Sequence, residues 1–491
     1  MRLALGAIRM MSGLALLLGT LAGCSMPLSR DPMAGEWLQQ DPSSWQMEGS
    51  PTWHSDATVR VVAATQPATT QSSAALPADA GPQDYVRLAL ARNPSIRAAQ
   101  RRVERLWDEV PQAESLDDPV FQVAPIGEMA QTAAGEVSLM TSLSQKLPFP
   151  GKRDTRGRIA AQSAAMARQD LASTRLSVMG DTRKAYWSYF YAQQAIEVTQ
   201  DSRDLLEQFQ ATARAKYQAG TATQQDVLRA SVELSNLDNQ LITLKQRRTT
   251  AVAMLNSLMD RPIDAALPAP RKVKLGDVTL SLDSLLAQAA RTNPDLRKIH
   301  DRIEMYRQKL RLARLNRWPD LTLGLTYNAV EDQGLAPMAN GKDQWWLGFG
   351  INLPIWQDKL NAAENGALQG VLEGVGDLTA KQNELAFRIQ DAAVRVDTQH
   401  RQALLFRDVI VPQAQQTVEV SQSAYQAGRL DFLTLVDNWR KLLDYELMYQ
   451  QNLSQYEQSV ADLEQVVGAD VAGAKTAGPA QESGKDLRHG K

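Results

Sequence analysis

Two hydrophobic periods alternate along this chain. Residues 321–328 put Leu321, Leu323, Leu325 and Tyr327 on one face and Thr322, Gly324, Thr326 and Asn328 on the other. Residues 345–353 line up Trp345, Leu347, Phe349, Ile351 and Leu353, while the opposite side begins with Trp346 and continues with Gly348, Gly350 and Asn352. Residues 137–147 set Val, Leu, Thr, Leu, Gln and Leu against Ser, Met, Ser, Ser and Lys, and residues 120–126 carry the weakest of the four patterns. A helix cannot produce a two-residue period, so these four segments read as strands. Polar stretches bearing Gly and Pro, such as 331–343, join them as hairpins.

The rest of the ordered chain reads as helix. Residues 85–111 and 282–318 are helical, the second with Leu296, Ile299, Ile303, Tyr306, Leu310 and Ala313 at three- and four-residue steps. Residues 152–218 contain no proline and form one helix, which at 1.5 Å per residue is about 100 Å long. Gly220 stops it, and a return helix runs over 223–259. Residues 357–426 and 431–467 repeat the outgoing and returning pair, with Pro412 expected to kink the former. Helices of this length cannot bury themselves in a globule and need lateral partners.

The chain is also duplicated. Ala91-Arg92-Asn93-Pro94 is echoed by Arg291-Thr292-Asn293-Pro294, and Leu147-Pro148-Phe149 by Leu353-Pro354-Ile355. Tyr217-Gln218-Ala219-Gly220 returns unchanged as Tyr425-Gln426-Ala427-Gly428. Three matches in the same order mark one ancestral unit used twice. The organisation is a leader over 1–23, an arm over 24–83, a first repeat over 84–262, a linker over 263–280, a second repeat over 281–468 and a disordered tail over 469–491.

Composition narrows the chemistry. Fifty-three basic against 55 acidic side chains give a net charge of −2, with no basic excess for a nucleic-acid backbone. His54, His300, His400 and His489 have no neighbour at metal-ligand spacing, so no metal site is expected. No nucleophile elbow, P-loop or zinc-binding helix is present, so no catalytic residue, cofactor or enzyme activity is expected. The one cysteine, Cys24, follows a basic n-region with Arg2 and Arg9, a short apolar stretch over 14–21 and the small residues Ala22 and Gly23. The apolar stretch is too short to span a membrane, and the context resembles a lipoprotein signal in which Cys24 carries lipid such as palmitate. Ser25 fits delivery to the outer membrane in that resemblance. Between Cys24 and the first repeat, Trp37, Trp45 and Trp53 punctuate a polar arm and could pack on the body or enter the lipid interface.

One apolar and one small-polar face per strand fits lipid outside and a water-filled lumen inside, although a half-buried soluble sheet has the same period. The eleven steps from Trp345 to Trp356, at about 3.3 Å each and a tilt near 45°, project to about 25 Å, the height of an outer-membrane apolar band. Trp345, Trp356 and Trp318 are then interfacial anchors. Four strands cannot close a membrane barrel, so several copies must share one: two copies give about eight strands and a filled interior, three about twelve and a lumen.

The duplicated helix–hairpin–helix-pair units, the Leu147-Pro148-Phe149-Pro150-Gly151-Lys152-Arg153 segment and the two Tyr-Gln-Ala-Gly tips resemble the TolC-like outer-membrane efflux proteins, and the cysteine context their lipidated members. The resemblance covers about residues 84–468. It implies an α+β membrane protein, a homotrimer whose twelve-stranded β-barrel continues into a long α-helical barrel through the periplasm. It further implies an exit duct working with a periplasmic adaptor and an inner-membrane transporter of the RND type. Matched from Gly428, one of the family's two gate acids falls on Asp437 and the other on Thr434, a departure for which Asp431 is a substitute. Tyr425 and Arg429 are expected at a closed mouth, and Tyr217, Gly220 and Gly428 at the adaptor contact. Helix-terminal roles explain Asp431, Asp437, Gly220 and Gly428 equally simply, and Asp226 is read as a cap. A protein-secretion duct of the same architecture, or a lipid-tethered scaffold without a pore, remain alternatives, and the cargo is left open between metal ions and organic toxicants.

Overall fold

The structure is a computed structural model that describes residues 76–469 except 128–130, 272–274, 276–280, 333, 336 and 339. Cys24, Trp37, Trp45, Trp53, part of the linker and nearly all of the tail lie outside the described residues.

The two repeats follow one another with the same grammar. The first comprises helix α1 (Pro82–Arg92), α2 (Pro94–Glu114), strands β1 (Val120–Pro125), β2 (Gln131–Thr132) and β3 (Gly135–Leu147), then α3 (Lys152–Gln218) and α4 (Gln224–Leu258). The second comprises α5 (Leu282–Thr292), α6 (Pro294–Leu315), β4 (Leu321–Val330), β5 (Gln344–Ile351) and α7 (Gln357–Leu405). A π turn (Phe406–Ile410), α8 (Val411–Gln426) and α9 (Phe432–Val467) complete it. The 67-residue α3 has the bounds its proline-free sequence predicts.

The short N-terminal helix of each repeat, expected to be continuous, breaks at the Asn-Pro pair. Proline excludes the helical conformation from the residue before it, and Asn93 and Asn293 sit at ψ 126° and 119°. Each Asn then does two jobs. Asn93 Oδ1 accepts from the Ser95 N–H (2.9 Å) and Asn293 Oδ1 from the Asp295 N–H (2.9 Å), capping α2 and α6. Their amide groups donate to Leu258 O (3.0 Å) and Val466 O (2.8 Å), at the far ends of the return helices α4 and α9. The duplicated motif is therefore a clamp that ties each repeat's start to its finish.

The strands form one antiparallel sheet in the order β1-β3-β4-β5, with β2 paired to β3. Register puts Leu321, Leu323, Leu325 and Tyr327 beside Ile351, Phe349, Leu347 and Trp345, and beside Leu147, Gln145, Leu143 and Thr141. Phe121 and Val123 extend the same face across β1. The other face carries Gln122, Ser142, Ser144, Thr322, Gly324, Thr326, Gly348 and Gly350. The alternation in sequence is thus a property of the whole sheet. One expectation is corrected: β5 ends at Ile351, and Trp356 is the N-cap of α7 rather than the end of a strand. Pro354 lacks the ladder N–H and ends the extended run. The 13-residue β3 crosses a larger height, about 28 Å for twelve steps of about 3.3 Å at a 45° tilt.

Four buried clusters run down the helices, the smallest gathering Ala195 and Ile196 of α3 with Leu241 and Leu244 of α4. Of the other three, one gathers Tyr85, Tyr186, Trp187 and Phe190 with the end of α4, and its counterpart gathers Leu285, Ile389, Tyr456 and Val467 in the second repeat. A third lies where both hairpins turn. No described helix is long and apolar enough to cross a membrane.

Candidate functional site: the hairpin mouth and the sheet–helix joint

The two helical hairpins end in the same turn. After α3, Thr221 N–H donates to Lys216 O (2.9 Å) and Gly220 N–H to Tyr217 O (2.9 Å). After α8, Arg429 N–H donates to Ala424 O (2.8 Å) and Gly428 N–H to Tyr425 O (3.0 Å). Gly220 and Gly428 hold φ of +74° and +71°, and a Cβ at either would meet nothing within 4 Å, so the backbone conformation alone demands glycine. Thr223 and Asp226 then form a capping box on α4, which is the role expected for Asp226. Asp431 is the N-cap of α9 but makes no side-chain cap hydrogen bond.

Behind the tips, Leu206 and Phe209 of α3, Ala230 and Leu237 of α4, Val418 and Tyr425 of α8, and Phe432, Leu435 and Trp439 of α9 form one buried cluster. Two directional contacts cross it between repeats. Lys216 Nζ donates to Tyr425 O (2.5 Å) and stands over the Tyr425 ring, 4.8 Å from its centroid. Arg440 of α9 holds the buried Glu233 of α4 in a two-pronged pair, with Nε to Oε2 at 3.2 Å, and its other nitrogen lies 3.6 Å from Asp437. The hydrogen bond from Arg440 to Glu233, with the nearby Asp437 and Asp444 charges, pushes the guanidinium pKa further up, against the effect of burial.

The residues singled out by sequence occupy distinct places. Asp437 is half-exposed and shares Arg440 with Glu233. Tyr425 is buried, its ring lies 5.4 Å from that of Phe432 at a tilt of 58°, and its hydroxyl has no hydrogen-bond partner among the described residues. Burial, with the Asp226 charge nearby, raises its pKa. Trp439 Nε1, in the same cluster, is likewise unpartnered. Arg429, Asp431, Tyr217, Gly220 and Gly428 are exposed. Sequence reading missed Lys216, Glu233 and Arg440. Glu233 did leave a signal, because it stands in the buried stripe of α4 with Ala230, Leu237, Leu241 and Leu244.

A second polar centre lies where sheet passes into helix. Lys152, at the start of α3, is 2% exposed, and its Nζ donates to Asp320 Oδ1 (2.7 Å) and Trp318 O (2.8 Å). Asp320 Oδ1 also accepts from the Phe149 N–H (2.9 Å), and its Oδ2 lies 3.6 Å from Lys146 Nζ. The Asp320 N–H donates to Asn352 Oδ1. Phe149 and Trp318 stack above the pair at 5.4 Å and 14°. Burial alone would raise the Asp320 pKa, but the Lys152 hydrogen bond, the Phe149 amide and the two lysine charges outweigh it and hold the carboxyl low. The Pro-Phe-Pro-Gly-Lys segment of the first repeat is therefore fastened to the Trp-Pro-Asp segment of the second. Trp318 and Trp356, at this end of the sheet, and Trp345, at its far end, are all more than half exposed.

Comparison with known proteins gives concordant results. A profile of the outer membrane efflux protein family matches residues 85–260 and 285–469. A curated relative, the cobalt-zinc-cadmium resistance protein CzcC of Cupriavidus metallidurans, is 22% identical over 394 residues, 78% of this chain and 88% of that protein. The pyoverdine export outer membrane protein OpmQ of Pseudomonas aeruginosa is 23% identical over 314 residues, 63% of this chain and 65% of that protein. The outer membrane protein VceC of Vibrio cholerae superposes with a TM-score of 0.66 at 18% identity, covering 79% of this chain and 96% of VceC, a likeness of fold.

Proposed function

The chain belongs to the outer membrane efflux protein family, and on that premise we propose that three copies close into one gated conduit, the exit duct of a tripartite efflux system. The observation that carries this reading is the pair of open edges. β1 and β5 end the sheet and pair with no further strand among the described residues. Open edges are not tolerated in lipid, and four strands are too few to close. Three copies give a twelve-stranded barrel wide enough for water, with the Phe121–Leu143–Leu325–Leu347 face toward lipid and the Ser142–Thr326 face toward the lumen. Helices α3 and α4, and α7 to α9, then continue the wall as a long α-helical barrel through the periplasm.

Trp318, Trp345 and Trp356 are the interfacial anchors, and lipid on Cys24 tethers the arm to the outer membrane. The exposed tips at Tyr217, Gly220 and Gly428 receive the periplasmic adaptor, which joins the duct to an inner-membrane transporter of the RND type. The duct itself is passive and performs no catalysis. Its mouth is gated by the Asp437 and Asp431 carboxylates together with Arg429 and Tyr425, and it is held shut within each protomer by Lys216 and the Glu233–Arg440 pair. The cargo is a small solute, a toxic metal ion or small organic compound, passing a barrel lumen lined mainly by Ser, Thr, Gly and Asn.

Edge closure is tested with one cysteine at Gln122 on β1 and one at Gly348 on β5, joined by a short bifunctional maleimide in membranes. A covalent ladder ending at trimer is expected. Monomers alone, or a ladder that closes at dimer, would refute the twelve-stranded ring.

A further inference from the structure

The duplication supplies an internal control for where the mouth can move. The outgoing helix of the first repeat, α3, runs unbroken from Lys152 to Gln218, whereas its counterpart is interrupted by the π turn at Phe406–Ile410. The stretch from Leu353 to Tyr425 is also longer, by two positions, than that from Leu147 to Tyr217. A π turn absorbs one extra residue without rotating the faces on either side. Here the Val411 N–H reaches back five residues to Phe406 O, and Pro412 supplies no N–H to the ladder at all. Two consecutive departures from the four-residue ladder make this the soft point of the helix.

Packing is interrupted at the same level. Along α3 the buried positions Ala195, Ile196, Thr199, Ser202, Leu206, Phe209 and Ala213 follow one another without a gap. In the second repeat Ala403 is buried, and the next buried residue is Val418. No residue of the π turn is buried, and Leu405 and Val409 are exposed. The partner helix α9 has the matching gap, with none of its residues between Leu443 and Leu453 buried. Phe406 and Tyr445, their ring centroids 6.2 Å apart, connect the two gaps.

We infer that the π turn at Phe406–Ile410 with Pro412 is the pivot on which the α8–α9 hairpin shears across the α3–α4 wall when the mouth opens. This rests on the gated-duct reading above. The contacts of α9 with α3 at Ser454–Trp187 and Lys184–Asp462 lie on the body side of the pivot, and the two that cross the tip cluster, Lys216 to Tyr425 O and Arg440 to Glu233, lie on its tip side. Packed helices slide over one another by small shear while apolar contact is kept, so the two tip-side polar contacts are what opening must break. The Tyr425 hydroxyl and Trp439 Nε1 find no acceptor among the described residues, so the shear breaks no hydrogen bond of theirs within the described chain.

The test uses full-length trimers in planar bilayers with the latch released by Arg440→Met and Lys216→Met. In one version the pivot is native. In the other it is straightened by deleting Val409 and substituting Pro412→Ala, which restores a regular ladder and keeps the faces of α8. Latch release with a native pivot is expected to raise conductance several-fold, and straightening is expected to abolish that rise while trimers still form. Equal conductance from both versions overturns the pivot and leaves the duct standing, whereas verified trimers with the native pivot and released latch that never conduct overturn the duct reading. Should straightening prevent assembly, spin labels in the native-pivot chain decide. The distance between Leu228 and Val420, on the tip side, should lengthen on latch release while that between Ile242 and Phe387 stays fixed. No change in either, or equal change in both, overturns the pivot.

Discussion

Replacing Asp320 by Ala removes the acceptor around which the sheet–helix joint is organised. The Lys152 ammonium, 2% exposed, would keep only the Trp318 carbonyl at 2.8 Å, and the Phe149 N–H would lose its acceptor. Breaking a buried ion pair from one side leaves an uncompensated charge and costs about 3–5 kcal/mol. Asp320→Asn keeps an oxygen for Phe149 and Lys152 and should lose less, about 1–2 kcal/mol. Replacing both partners, as Lys152→Met with Asp320→Leu, should recover most of the loss, because a well-packed apolar pair needs no compensation. Equilibrium urea unfolding of detergent-solubilised protein near neutral pH reads these differences. The dependence on pH has a definite sign. Because the folded pKa of Asp320 is depressed, its contribution is fully present above the unfolded value of about 3.9 and is lost as pH falls through the folded value below it. The gap between wild type and Asp320→Asn should therefore stay constant from about pH 5 to 8 and close only in stronger acid. A loss below about 1 kcal/mol for Asp320→Ala would refute the reasoning, since that is the range of an exposed pair.

Other predictions concern the helices and the mouth. Lys216→Met should increase conductance more than Tyr425→Phe, which keeps the carbonyl and the ring that Lys216 engages; the opposite order in single-channel records would contradict the latch. Gly220→Ala and Gly428→Ala should each cost about 1–2 kcal/mol locally through left-handed strain alone, seen as faster amide exchange at the tips without loss of trimer. Gly370→Leu should destabilise by about 1–3 kcal/mol, since its Cβ would lie 2.4 Å from the Tyr306 ring, while Gly366→Ala, facing open space, should be close to neutral in the same unfolding assay.

The parts legible in sequence were those set by local period and by repetition. The bounds of α3, the alternation of β3 to β5 and the glycine stops at 220 and 428 follow from spacing that any window along the chain displays. What sequence hid was long-range or a compromise between local rules. Lys152 and Asp320 are 168 positions apart and meet only when both repeats fold. Asn93 lies inside the continuous helix that the sequence predicts, yet it caps a second helix and its amide reaches Leu258. Pro412 foretold a disturbance, yet its form, a widened turn rather than a plain kink, depends on the residue inserted before it. At the mouth, resemblance points to Asp437 and neither route to Glu233, although a carboxylate in a buried leucine stripe is itself a mark of a partner across the interface.

The central claim, a gated pore, is tested most directly by single-channel recording of purified trimers in planar bilayers, wild type beside Asp437→Ala. Small cation-selective steps that enlarge and lose selectivity on substitution are the predicted result. Protein that stays monomeric and carries no current, with or without the substitution, would contradict it.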